Sequence, residues 1–223
     1  MSNKLADQIG FWAALLATVF LASFAIVFTV TAVAFPGAVE WHGLAAYAAS
    51  YNATLMFLLM FPVFLLAPTL LVMMACIHDT TPQDKKILSL LALVFTTVYA
   101  VQISYNYYTQ MTAVTPSLLS GELEGLAIYA FFNPRSIPLN LELLGYGMLS
   151  VGMIFAAFLF RGGRTNTAIF WLFLINGVLN ALYVFEPFVR IGGPPIVLML
   201  FNYTVPIATA LIAVPFRRAQ RRA

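Results

Sequence analysis

The chain has 223 residues, of which 62% are hydrophobic and only 9% charged, with a formal net charge of +3. Soluble domains are about a quarter charged, so this composition excludes a water-facing globule and makes lipid the main solvent. The single cysteine, Cys76, excludes an intrachain disulfide framework and a CxxC redox pair, and is expected as a small buried apolar residue.

Six apolar runs follow, each near or above the roughly 20 residues that cross a bilayer as helix. The first, 9–35, is uncharged. It contains Ala32-Val33-Ala34, a pattern like a signal cleavage site, but the run is too long for a signal peptide and reads as a retained span. The second, 47–76, is also uncharged and holds Pro62 and Pro68. The third, 83–114, follows "TTPQDKK", where Thr81 as N-cap, Pro82 at the first helical position and Asp84 predict a capping box. Thr115-Pro116 repeats the cap-then-Pro signal and predicts a short interfacial helix over 116–131. The fourth run, 138–160, contains the carboxylate Glu142. "RGGR" then breaks the chain before the fifth run, 167–186, and the sixth, 195–216, is interrupted by Pro206. The runs lack period-two alternation, which argues against strands. The expected fold is all-α: a polytopic bundle of six transmembrane helices forming one domain over 1–223.

Lys and Arg set the expected orientation. With the N-terminus inside, the inner segments hold Lys4, Lys85, Lys86, Arg161, Arg164, Arg217, Arg218, Arg221 and Arg222, and the outer ones only Arg135 and Arg190. This bias predicts cytoplasmic N- and C-termini, in an integral protein of a bacterial inner (plasma) membrane. The tail "RRAQRR" is too short for a nucleic-acid patch and reads as an anchor on anionic headgroups.

Polar residues gather between the membrane midplane and the outer surface. Tyr99, Gln102 and Asn106 share one face of span three, and Asn176, Asn180 and Tyr183 one face of span five. Tyr51 and Asn52 lie near the outer end of span two, Asn202 and Tyr203 near that of span six, and Glu186 at that of span five. Glu142 sits about one turn inside span four. Polar side chains avoid lipid, so these faces should meet inside the bundle, as a hydrogen-bonded plug or as a wet pocket. The candidate ligand-binding residues are Glu142, Gln102, Asn106, Asn176, Asn180, Asn52, Asn202, Tyr99, Tyr146 and Tyr183. The expected donors to Glu142 are Gln102, Asn106, Asn140, Asn180 or Tyr183, with Arg135 or Arg190 as loop cations that would fold over it. Tyr107, Tyr108 and Tyr129 read instead as an interfacial aromatic belt. Ala13 and Ala17, and the stripe Ala45, Ala49 and Ala53, have the small-residue spacing of close helix contacts, within the bundle or with a partner subunit.

The two histidines, His42 and His78, fall in loops on opposite sides, and no metal-ligand cluster, phosphate loop or nucleophile motif is present. No cofactor and no metal are expected. The expected partners are membrane lipids, a small-molecule or lipid ligand, and a membrane subunit docking through Ala13 and Ala17. In length, span number and an outward-facing site, the chain is similar to the substrate-binding subunits of energy-coupling-factor vitamin transporters, whose docking helix the Ala13/Ala17 pair resembles. That resemblance implies a binding role. The leading expectation is a bundle that binds a small molecule or lipid headgroup in its outer half, for uptake, sensing or lipid handling. The alternatives are an intramembrane enzyme with Glu142 as acid or base, and an accessory subunit of a larger complex.

The charge bias is tested by topology. A reporter fused after Ala223, or placed in the 161–164 loop, is expected to report the cytoplasm; an external signal from either overturns the orientation.

Overall fold

The computed structural model describes residues 4–35, 40–185 and 196–221, with the side chains of 183 and 196–199 outside that set. Among the described residues the secondary structure is helical throughout. The long helices are α1 (Lys4–Ala34), α3 (Ala53–Thr80), α4 (Lys86–Thr109), α6 (Ile137–Ala157), α7 (Arg164–Tyr183) and α8 (Ile196–Gln220); the short ones are α2 (Leu44–Ser50) and α5 (Thr115–Ser120). Six helical segments are long and apolar enough to cross a membrane, as the six runs predict. The prolines at 62, 68 and 206 lie inside continuous helices. Pro206 removes the N–H that would bond the Asn202 carbonyl, and one turn on Thr209 donates to the carbonyls of Val205 and Pro206 at 3.2 and 3.0 Å.

The spans form a closed ring. In chain order each packs against the next, α1–α3–α4–α6–α7–α8, and α8 closes onto α1. Three hydrogen bonds run along the closing seam: Thr29 with Tyr203 at 2.6 Å, Thr18 with Thr209 at 2.9 Å, and the Gln220 Nε2 to the Asp7 carbonyl at 2.9 Å. The last of these places both chain ends at the same end of the bundle. Outside the ring, Trp12, Ile26, Val101 and Trp171 are exposed, as a lipid-facing surface requires. Inside it, a continuous apolar core includes Val63, Met73, Phe173 and Ile212. Ala13 and Ala17 belong to this core, so their small size serves packing within the chain. Ala45 and Ala49 remain exposed on α2. Cys76 is a free, buried thiol.

Several local expectations are corrected. Thr81 does not open the third span. It closes α3 as C-cap, its hydroxyl donating to the Ile77 carbonyl at 2.6 Å, and Asp84 makes no capping bond there. The Lys86 ammonium settles the contest, donating to the carbonyls of His78 and Asp79 at 2.5 and 3.0 Å. A cation at a helix C-terminus meets both the orphan carbonyls and the negative end of the dipole. The second span begins at Ala53 rather than 47. Asn52 takes an extended backbone and its Oδ1 accepts from the Leu55 amide at 3.0 Å, which separates α2 from α3.

The interfacial helix expected over 116–131 is also not a single helix. Span three runs on through a π-helical turn, Gln110–Val114, directly into α5, with Thr115 in helical conformation. Gly121 and Gly125, at φ of 79° and 69°, then stop it, and a 3-10 turn follows at Leu126–Tyr129. From Gln83 to Ser120 the segment has 38 residues, roughly 57 Å at 1.5 Å per residue, so it projects beyond a hydrocarbon layer of about 30 Å. The projecting turns, α2 and the 126–132 segment share a small core of Tyr47, Val114, Leu118 and Ala130, which caps the end of the bundle away from the termini. The "RGGR" break is as expected, with Gly162 and Gly163 at φ of 84° and 79° between α6 and α7.

Helices α6 and α7 approach closely at Gly177. A Cβ added at Gly177 would stand 2.8 Å from the Ser150 carbonyl oxygen and 2.7 Å from Ile154 Cγ1. A backbone oxygen cannot step aside as a side chain can. Gly177→Ala is therefore expected to cost about 1–3 kcal/mol through overpacking. A thermal melt of the detergent-purified protein should fall accordingly; an unchanged melt would refute the contact.

Candidate functional site

Glu142 lies near the N-terminal end of α6, just below the cap. Ser136 opens that helix, its buried Oγ accepting from the Leu139 amide at 3.3 Å, and Pro138 fits the first turn. Glu142 thus enters the bundle one to two turns down. The facing helix is α4, packed so closely that a Cβ at Gly152 would lie 3.0 Å from the Ala92 carbonyl oxygen. From it the Tyr107 hydroxyl donates to Glu142 Oε1 at 2.7 Å and Asn106 Nδ2 donates to Oε2 at 3.1 Å. Asn106 Nδ2 also reaches the Pro138 carbonyl at 3.2 Å. Each carboxylate oxygen accordingly accepts one neutral donor, and each keeps further acceptor capacity.

Beside this clasp is a cavity of about 440 Å³, within the size range of small-molecule sites. Glu142 and Tyr107 stand in its wall. Tyr146 and Phe201 form the deeper side, their rings 5.2 Å apart at 80°, and Tyr99 stacks behind Tyr146 at 5.4 Å. Phe131 and Phe132, from the segment before α6, cover the side toward the cap; Phe131 lies 5.8 Å from the Tyr107 ring and Phe132 lies 6.3 Å from Tyr47. The remaining walls are apolar: Phe24 and Phe28 of α1, and Met56, Leu59 and Met60 of α3. Asn202 of α8 adds an amide. Pro206, which has no N–H, leaves the Asn202 carbonyl without its usual helical donor.

The expected site residues fall in different places. Glu142, Tyr146 and Asn202 line the cavity, and Asn106 and Tyr99 support it from behind. Gln102 is half-buried beside Gly145, with a buried Oε1 that has no hydrogen-bond partner among the described residues. Asn176 and Asn180 are buried at 4% and 3% exposure, but on the α7–α8 seam rather than in the cavity wall. Asn176 donates to the Leu172 carbonyl and accepts from Thr204 Oγ1 at 2.9 Å, while Asn180 donates to the Asn176 carbonyl. These two are interhelical and intrahelical glue. Asn52, exposed, is a helix cap and does not reach the cavity. The side chain of Tyr183, and all of Glu186 and Arg190, lie outside the described residues. Asn140 donates to the Ser136 carbonyl instead of Glu142, and Arg135 is exposed.

Tyr107 is the correction with most consequence. It is 1% exposed and bonded to the carboxylate, whereas Tyr108 and Tyr129 are exposed as belt residues are. The signal was the buried face of α4, on which Tyr99, Ile103, Asn106 and Tyr107 recur at helical spacing. No protein-family model, curated protein or solved structure matches the chain.

Removing the Tyr107 hydroxyl leaves Oε1 of a desolvated carboxylate without its donor. Tyr107→Phe is expected to destabilise the protein by about 1–3 kcal/mol, while Tyr108→Phe leaves it unchanged. Equal melting temperatures for the two variants would show that the clasp contributes nothing.

Proposed function

We propose that this integral membrane protein binds a small molecule or lipid in the cavity beside Glu142, for uptake, sensing or lipid handling. The observation that carries the reading is the cavity itself. It is roomy, walled by aromatic and methionine side chains from α1, α3 and α8, and holds a carboxylate whose two donors leave acceptor capacity unused. A purely structural polar plug accounts for Asn176, which bonds Thr204 across to α8, but does not require an open space next to Glu142. With the orientation that the charge bias favours, the cavity lies in the outer half of a bacterial plasma membrane.

The Tyr107–Glu142 pair supports a second reading, in which the two groups move a proton on a lipid-like substrate; a hydroxyl 2.7 Å from a carboxylate is within reach for that step. Native mass spectrometry of the protein in lipid nanodiscs separates the possibilities. Wild type is expected to release a bound small molecule or a selected lipid, and Leu59→Trp, which fills the cavity, to release none. Turnover of a lipid that is lost in Glu142→Gln would instead favour the enzyme. A stable protein partner, with no bound small molecule in either form, would make the chain an accessory subunit.

A further inference from the structure

The cavity wall has an uneven chemistry. Among the described residues that line it, Glu142 is the one charged side chain, and lysine, arginine and histidine do not occur. Its two hydrogen-bond donors, Tyr107 and Asn106, are neutral. Neutral donors orient a carboxylate but do not balance its charge, and in a low-dielectric setting an unbalanced charge is costly. The other three sides are hydrocarbon and aromatic. Tyr146, Phe201, Phe131 and Phe132 place aromatic rings in the same wall, and aromatic rings can attract cations. Asn202 contributes a neutral side-chain amide, which can donate as well as accept but carries no charge to balance Glu142.

From this we propose that the ligand is an amphipathic organic cation: an ammonium or similar head that meets Glu142, joined to an apolar body that fills the aromatic and methionine walls. An anion would be set against the carboxylate. A neutral amphiphile would fill the walls and leave the charge unbalanced. An amphipathic cation satisfies both parts of the cavity. The proposal rests on the cavity-binding reading above and specifies its ligand class.

Binding of octyltrimethylammonium, 1-octanol and octyl sulfate to the full chain in nanodiscs, with empty nanodiscs as background, tests it. The three probes share a chain and differ in head charge. Wild type is expected to bind the cation at least about tenfold more tightly than the other two, the size of one close charge contact. In Glu142→Gln the cation should fall to about the affinity of octanol, and Leu59→Trp should weaken all three. Similar affinities for the three probes, all weakened by Leu59→Trp, would overturn the cationic class and leave the cavity reading standing. No binding of any probe would overturn both. A cation preference that survives in Glu142→Gln would also overturn the proposal, because it would place the selectivity elsewhere. If Glu142→Gln fails to fold, the ranking of the three probes on wild type still decides the matter.

Discussion

A carboxylate inside a hydrocarbon layer must be met by donors or a counter-charge, and the upper half of this bundle is arranged around that requirement. Glu142 draws α4 and α6 together through Tyr107 and Asn106, and Asn106 adds the Pro138 carbonyl. The approach is possible because α6 offers Gly145 and Gly152 to α4 at the spacing of one helix face. Charge, hydrogen bonding and small-residue packing thus act on the same pair of helices. The cavity is what remains where α1, α3 and α8 do not follow them inward.

The two ends of the bundle differ in kind. Toward the termini the α1–α8 seam is closed by the Gln220–Asp7 bond, and a second, smaller cavity lies beside it, lined by Asp7, Thr81 and Lys85. Toward the other end the ring is covered by a cap with its own small core, in which Tyr51 bonds Thr115 and Gln110 donates to the Tyr129 carbonyl. The cap reaches the cavity through Phe131 and Phe132, so two aromatic side chains connect a surface structure to an interior space. The π turn at Gln110–Val114 is where the membrane helix becomes part of the cap.

The spans were legible from sequence because lipid imposes a long, uninterrupted apolar run, and no other element of a protein produces one. Burial of Asn106, Asn176 and Asn180 was legible for the same reason. Which seam each would occupy was not, since a polar face states only that lipid is avoided. Asn176 found Thr204 on α8, and Asn106 found Glu142 on α6, from patterns that look alike along the chain. Tyr107 reads as a belt residue because an aromatic near a span end serves equally well in the headgroup layer. The cap was misread where local signals conflict: Thr115-Pro116 looks like a helix start, yet the preceding helix runs through it, and Gly121 sets the stop. Thr81 shows the same conflict, resolved by Lys86 on the following helix rather than by anything adjacent.

The ring closure carries a consequence for how the protein is made. Helices enter the membrane in chain order, and α4 precedes α6. When Glu142 arrives, Asn106 and Tyr107 are already in the bilayer to receive it, so a costly carboxylate is inserted next to its own solvation. The opposite holds for the cavity. Phe24 and Phe28 belong to α1 and Phe201 to α8, so the walls of the cavity are brought together only when the last helix reaches the first. The carboxylate is sheltered midway through synthesis, and the cavity beside it takes shape in the final step.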